Sequence, residues 1–497
     1  MNLLPYTIYL SFAGALLSLV AGRRSAAAAR GVALLTAVAC WGITLYAAYG
    51  FTPSNQMIQL VDVTWISQLG IHYHLAADGI SLTLVVLTGL AATAGILFSW
   101  NIAERTGEFF AFYLALIGGV YGVFLSADAF LFFVFYEIAI VPKYFLIANW
   151  GSTNRLYGAM KLALYSFAGS ALVLAGLLWI YAAGHASGFS LWELAQAAAG
   201  LSHPQQVVIF AFLFTGFAVL AGMFPFHTWA PTGHVAAPTG ASMLLAGVVM
   251  KLGAYGCFRA SMLLMPDGLA YWKWTIAWLG VVGIIYGAGV ALVQKDFKFI
   301  IGYSSVSHMG FVLLGLATLN VIGMSGAILQ MFSHGIVASL LFAVVGRMVY
   351  DRTHTRQLDE LGGLMKVIPF AFWTFLIAGA ASMGMPGFSG FVAEIQILIG
   401  AFQMNPWLAA GAALSIPLTV AYIINALNKV FLERDLPAHA HDHPSEAPHH
   451  APLPPITFPE KVAALILMAL LVILGVYPSI MLDMIKANVE LFLKGAS

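Results

Sequence analysis

Apolar stretches about as long as a bilayer is thick recur along this chain from its first residues almost to its last, and nothing else in the sequence constrains the fold as strongly. A helix needs roughly 20 predominantly apolar residues to cross the hydrocarbon core. Such stretches are predicted near residues 3–21, 29–48, 79–99, 110–127, 129–149, 160–183, 207–229, 239–262, 272–293, 299–319, 323–349, 367–402, 407–431 and 460–480, followed by a short amphipathic tail with Lys486, Glu490 and Lys494. Only 8% of the residues are charged and 61% are hydrophobic, whereas a soluble domain carries about 25% charged residues. No water-soluble fold hides that much apolar surface. The expected fold is an all-α membrane protein of about fourteen transmembrane helices.

The apolar run from Leu3 to Ala21 precedes Arg23 and Arg24. A cleaved secretory signal places its charges first and ends in a small-residue cleavage site, so a retained first helix is expected. Lys and Arg concentrate in cytoplasmic loops. With the first loop (Arg23, Arg24, Arg30) in the cytoplasm, every second loop is basic: Arg105; Arg155 and Lys161; Lys295 and Lys298; Arg347, Arg352, Arg356 and Lys366; Lys429, Arg434 and Lys461. Fifteen of the 21 basic residues then lie on one side, and Arg259, Lys273, Lys486 and Lys494 on the other. Both termini are expected outside, in a bacterial inner membrane.

Two of the apolar segments, the seventh and the twelfth, are interrupted. One carries Met223-Phe224-Pro225-Phe226-His227-Thr228-Trp229-Ala230-Pro231, the other Gly384-Met385-Pro386-Gly387-Phe388-Ser389-Gly390. Proline removes a backbone donor and clashes with the preceding turn. Unpaired backbone at membrane depth is tolerated only inside protein or beside water, and broken helices at corresponding places in two halves point to inverted repeats around an ion pathway. The breaks fall five spans apart. Expected units are therefore helices 1–3 (residues 1–109), a five-helix repeat (110–262), a second one (263–434), a Pro/His-rich cytoplasmic loop (435–459) and a last helix with its tail (460–497). The loop's histidines (His439, His441, His443, His449, His450) have no regular ligand spacing and read as a linker, with no metal expected. A plainer alternative for the breaks is that the prolines merely kink packed helices.

Glu137, Lys251 and Glu394 lie within apolar spans. A charge at the bilayer centre costs about 2.5–3.5 kcal/mol on insertion scales, so each is expected to face the bundle interior and find a partner. A desolvated amine and a desolvated carboxyl group both favour their neutral forms. Moving an opposite charge closer or further therefore changes how tightly each holds a proton, and a row of such sites can load a proton on one side and release it on the other. The alternative is a static ion pair that ties helices together. His308, in Gly302-Tyr303-Ser304-Ser305-Val306-Ser307-His308, and His334, in Gln330-Met331-Phe332-Ser333-His334-Gly335, are candidate relays, because imidazole titrates near neutrality through two nitrogens. His227 and His234, which flank the first break, read as hydrogen-bonded core residues.

The chain's net charge is +1, which implies no nucleic-acid partner. Its two cysteines, Cys40 and Cys257, cannot form a four-ligand cluster or zinc site, and no nucleotide-binding glycine pattern stands in a strand–helix context. Electrons, if this chain serves a redox enzyme, are expected to travel elsewhere.

Val306-Ser307-His308-Met309-Gly310-Phe311, His227-Thr228-Trp229-Ala230-Pro231, Lys251-Leu252-Gly253-Ala254-Tyr255-Gly256 and Gly384-Met385-Pro386-Gly387-Phe388 occur in this order. Together they resemble the antiporter-like membrane subunits of respiratory complex I, NADH:quinone oxidoreductase, most closely the M type, the bacterial counterpart of mitochondrial subunit 4. The resemblance implies a fourteen-helix membrane-arm subunit that translocates protons, driven by quinone reduction in other subunits. It implies neighbouring membrane-arm subunits as partners and no cofactor in this chain, the parent complex using NADH, FMN, iron–sulfur clusters and quinone. It places Glu137 as the glutamate of span five, Lys251 as the central lysine of span eight, Glu394 as the terminal charge of span twelve, and His308 and His334 on the hydrophilic axis.

The sequence departs from that pattern in two places. Members of this type carry a lysine seven residues before the histidine matching His227, which pairs with the span-five glutamate; here that position is Leu220. Thr232 stands where the family has Asp. The nearest replacement charge is Lys143, six residues past Glu137 and so about 240° around the helix and roughly 9 Å along it, with Pro142 between them to bend the geometry. The expectation is a divergent M subunit in which Lys143 takes over the lost charge, set against a Lys143 that only anchors or packs. Other readings are a cation/proton antiporter subunit, the membrane subunit of a complex I-like hydrogenase, and a scaffold that no longer pumps.

Overall fold

The computed structural model of the chain describes residues 1–53, 57–432 and 453–496. Most of the expected Pro/His-rich loop, with all five of its histidines and Arg434, lies outside the described residues.

Helices dominate. Pro5–Gly22 (α1) and Ala26–Tyr49 (α2) are followed by an antiparallel hairpin of Ile58–Ile66 (β1) and Ile71–Ala77 (β2). Then come Gly79–Phe98 (α3), Thr106–Leu125 (α4), Ala129–Trp150 (α5), Arg155–Ala183 (α6) and the short Leu191–Ala199 (α7). His203–Ala221 (α8), Trp229–Ala236 (α9), Thr239–Met262 (α10), Pro266–Val293 (α11), Phe297–Ala317 (α12) and Val321–Thr353 (α13) carry the chain through its centre. Pro369–Ser382 (α14), Ser389–Met404 (α15), Pro406–Leu432 (α16), Phe458–Val476 (α17) and Ser479–Ala496 (α18) complete it. Among the described residues thirteen helices, with α8 and α9 taken as one, are long and apolar enough to cross a membrane; α14 and α15 are two shorter apolar helices. The chain is a multi-pass α-helical membrane protein.

The sequence reading did not foresee the hairpin or α7. The hairpin's signal was weak: nine residues of loosely alternating side chains, with Gly70 supplying the left-handed turn (φ +62°). Its neighbours explain its presence, since Ala127 and Ser126 of the loop before α5 pair with β2.

Carboxylates start several of the helices. Asp78 accepts the Ile80 and Ser81 amides at the head of α3, Asp128 the Phe130 and Leu131 amides at α5, and Asp296 the Lys298 and Phe299 amides at α12. Each satisfies amides that have no partner within the helix and sits at the positive end of its dipole. Asp78 also forms a buried ion pair with Arg259 of α10, whose Nε donates to Tyr255 Oη at 3.2 Å while that hydroxyl donates to the Phe124 carbonyl at 3.1 Å. Arg259, counted from sequence as an outer-side charge, is thus a buried tie between α3, α4 and α10. A second tie joins α13 to α17: Glu460 accepts Arg347 Nε at 2.6 Å and Arg352 at 2.7 Å.

Burial sorts the helices into two zones. The apolar windows of α10 and α13 are wholly buried and those of α3 and α12 nearly so, whereas α1, α2, α16 and α17 turn most of theirs outward. The interior helices α10, α12 and α13 are the ones that carry Lys251, His308 and His334. Because removing one partner of a buried ion pair costs roughly 3–5 kcal/mol, Arg259→Met is expected to lower the unfolding midpoint of the detergent-solubilised protein markedly, while a change at exposed Arg24 leaves it in place. Thermal denaturation of the two variants checks this.

Candidate functional site

Lys251 has no exposed surface. The helix around it is not uniformly α: Leu245–Val249 and Cys257–Met262 are π-helical turns on either side of the lysine, and π turns accompany functional sites in many helices. In the first of them the Met250 amide reaches back to Leu245 O, and the Ala246 carbonyl accepts Lys251 Nζ at 2.5 Å. The same Nζ lies 2.8 Å from His334 Nδ1 on α13.

From there the polar atoms continue. The His334 and His308 rings lie 5.2 Å apart between centroids. His308 Nε2 is 3.0 Å from Ser382 Oγ, and its Nδ1 is 3.1 Å from Glu394 Oε1 and 3.3 Å from Gln330 Nε2, which also donates to Glu394 Oε1 at 3.3 Å. Ser333 and Ser389 hydroxyls meet at 2.7 Å. Enclosed between His308, His334, Ser382, Gly390 and Glu394 is a cavity of about 10 Å³, close to the room one water molecule needs. His334 Nε2 and Gln330 Oε1 are buried without a hydrogen-bond partner among the described residues. Four of the residues expected from sequence, Lys251, His334, His308 and Glu394, therefore form one contiguous row.

The second break positions the end of that row. α14 stops at Ser382, Gly384 (φ +68°) and Gly387 (φ +95°) take left-handed conformations that favour glycine, and α15 restarts at Ser389. A Cβ on Gly384 would sit 2.8 Å from Glu394 Oε2, so the carboxylate lies against the break. Gly390 lets α15 approach the Ala381 carbonyl, where any side chain would collide. The first break is built differently: α8 ends at Gly222 (φ +75°), a 3₁₀ turn covers Phe226–Thr228, and the Trp229 indole donates to the Val219 carbonyl at 2.7 Å, occupying an acceptor at the end of α8.

At the other end of the row stand two residues that sequence reasoning assigned elsewhere. Lys298, counted as a cytoplasmic loop cation, is only 3% exposed and lies in the first turn of α12, its Nζ donating to the Val235 and Ala237 carbonyls at 3.1 and 2.7 Å. His234, read as a hydrogen-bonded core residue, is fully buried, neither ring nitrogen has a hydrogen-bond partner among the described residues, and it lies within electrostatic reach of both Lys298 and Lys251. Lys298 borders a cavity of about 160 Å³ lined by Ser99, Asn101, Ser152 and Asp351 as well. The available signal was Asp296: a capping residue two positions earlier puts Lys298 inside a helix rather than in the loop.

Glu137 is not brought into the row. It lies on α5, half-buried, beside the Ser170 hydroxyl and within electrostatic reach of Lys143, with its Oε1 buried and without a hydrogen-bond partner among the described residues. Lys143 is 1% exposed and donates to Ser166 Oγ at 3.2 Å. No direct ion pair joins the two among the described residues, as their spacing on one helix suggests. Leu220 is buried. Thr232 accepts from Lys161 Nζ at 3.3 Å, and His227, with neither nitrogen hydrogen-bonded among the described residues, stacks on Phe224 and meets Tyr286 edge-on.

Fold and site together define a class: a polytopic helical membrane protein whose interior carries a line of ionisable side chains ending at a broken helix. The family described as NADH:quinone oxidoreductase/Mrp antiporter, TM, matches residues 126–419, and the chain belongs to it. It is 36% identical to NADH-quinone oxidoreductase subunit M of Rhodobacter capsulatus over 98% of this chain and 96% of that one. It is 42% identical to NAD(P)H-quinone oxidoreductase chain 4 1 of Synechococcus sp. (strain JA-2-3B'a(2-13)) over 74% of this chain and 70% of that one. Among solved structures, a chain of respiratory complex I from Thermus thermophilus with bound NADH superposes with a TM-score of 0.88 at 26% identity, covering 99% of this chain and all of that one.

Gly390→Ala is expected to push α15 off the Ala381 carbonyl. Overpacking of this kind costs about 1–3 kcal/mol and displaces Ser389 and Glu394 from the row. A lowered unfolding midpoint together with reduced ion transport by the reconstituted assembly checks it.

Proposed function

We propose that this chain is a proton-translocating membrane-arm subunit of a complex I-type NADH:quinone oxidoreductase. One observation carries the proposal: Lys251, His334 and His308, on three of the most deeply buried helices, and the buried Glu394 of α15 form a row spaced for hydrogen bonds or for one intervening water. Intramembrane ionisable residues that face one another across a polar gap mark a proton route.

In this reading the cavity beside Lys298 admits water, and a proton reaches Lys251 by way of Lys298 and His234. The Lys251 ammonium passes it to His334 Nδ1. His334 Nε2 hands it across the small cavity to His308, and His308 Nδ1 delivers it to Glu394, whose second oxygen faces the break. Each imidazole accepts on one nitrogen and donates from the other. Ser382 and Gln330 orient His308. Glu137, with Lys143, acts as a separate charge whose state biases Lys251.

The remaining features follow the same proposal. The breaks mark two inverted five-helix units, residues 110–262 and 263–434, with α14 and α15 forming a single crossing, the fourteenth. The basic loops lie in the cytoplasm and both termini outside. Other membrane subunits cover part of the outward apolar surface, and the redox centres belong to those and further subunits rather than to this chain. The 36% identity along nearly the whole chain to a subunit named for NADH–quinone chemistry favours that assembly over an antiporter or a hydrogenase.

In the assembled complex reconstituted into liposomes, Lys251→Ala is expected to lower NADH-driven proton uptake about tenfold or more, a loss that takes only ~1.4 kcal/mol of added barrier. Glu394→Gln is expected to do the same. Proton uptake that is unchanged in both variants, measured by a pH-sensitive dye against NADH oxidation, overturns the proposal.

A further inference from the structure

Outside the row, a buried amine and a half-buried carboxylate are left with complementary needs. Lys143 carries three N–H donors at a site with 1% exposure, and among the described residues only Ser166 accepts one. Glu137 keeps a buried oxygen with no donor among the described residues. On α6, Ser166 and Ser170 are one turn apart on one face: Ser166 accepts from Lys143, and Ser170, whose hydroxyl donates to the Phe167 carbonyl at 3.1 Å, lies beside Glu137. The gap of roughly 9 Å along α5 that separates Glu137 from Lys143 is thus flanked by two hydroxyls, which lie about 5–6 Å from one another.

We propose that Lys143 is the movable counter-charge of Glu137, linked to it through Ser166 and Ser170, so that the charge pair of this half of the molecule opens and closes within the single hairpin α5–α6. The inference deepens the function proposed above and rests on it. A pair meant only to tie helices closes directly, as Asp78 and Arg259 do; this one is held apart, with an acceptor and donors left over on its two sides. When Glu137 is ionised it draws the ammonium along the hydroxyls towards itself. When it is neutral the ammonium stays on Ser166. The change reaches Lys251 through packing already in place. Tyr136, next to Glu137, meets Phe217 of α8 edge-on at 5.6 Å, and the backbone of α8 at Leu220 and Ala221 lies against Gly253, two residues from Lys251.

The test uses the whole complex in liposomes, reading protons taken up per NADH oxidised and the amount of assembled complex. Lys143→Met is expected to lower the ratio severalfold with assembly retained. Adding Leu220→Lys to it is expected to restore the ratio, because position 220 is buried one turn beyond Phe217 and supplies an ammonium to Glu137 from α8; a residue needed only for packing is not rescued from another helix. Ser166→Ala, which keeps both charges, is expected to give a smaller fall, and it decides the matter if Lys143→Met fails to assemble. An unchanged ratio in Lys143→Met, or in Ser166→Ala, overturns the inference, as does a loss that Leu220→Lys does not restore. Lys251→Ala is run alongside: if it abolishes uptake while the Lys143 and Ser166 variants pump normally, only this inference fails, and if it too is silent, the proton-pumping reading fails with it.

Discussion

An amine buried out of reach of solvent is the constraint around which this molecule is arranged. Hydrocarbon does not stabilise an ammonium group, and among the described residues no carboxylate pairs with Lys251. It offers a carbonyl oxygen and an imidazole nitrogen instead. Those weak partners hold the lysine without fixing its charge, and they in turn need partners of their own. His334 leads to His308, and His308 to Ser382, Gln330 and Glu394. The polar row is therefore a chain of incomplete satisfactions, each passing its remainder to the next.

The rest of the fold encloses that row and keeps it reachable. Strong ion pairs sit at its margins, where Asp78 meets Arg259 and where Arg347 and Arg352 converge on Glu460. They anchor helix ends. Breaks supply what continuous helices cannot. At Gly384 and Gly387 the backbone turns aside beside Glu394, while at Gly222 the Trp229 indole joins the Gly222 amide as a second donor to the Val219 carbonyl.

How much of this was legible in the amino-acid sequence depended on the kind of signal. The spans were legible because hydropathy acts through every residue of a twenty-residue run. Lys251, Glu394, His308 and His334 were legible because a polar residue inside such a run has an energetic cost that demands a reason. Lys298 was misplaced because a cation near a helix end looks like a loop charge; only the Asp296 cap betrays that it lies inside. His234 was misjudged because a histidine beside prolines reads as packing, and its nearness to two lysines is a tertiary fact. Ser166 and Ser170 carry no mark at all in sequence, since serines are common in membrane helices, and the hairpin of β1 and β2 was too short to register against the apolar runs on either side.

The π turn before Lys251 has a bearing on how such a lysine is tolerated. A straight α-helix commits each interior carbonyl to the amide four residues on, so a side chain seeking that oxygen competes with the backbone. Where the Met250 amide reaches one residue further back, to Leu245 O, the Ala246 oxygen is released from that duty and turns to the ammonium. The helix becomes its own soft counter-ion: a dipole with no proton of its own to give, never neutralised by titration, and too weak to trap the charge it steadies.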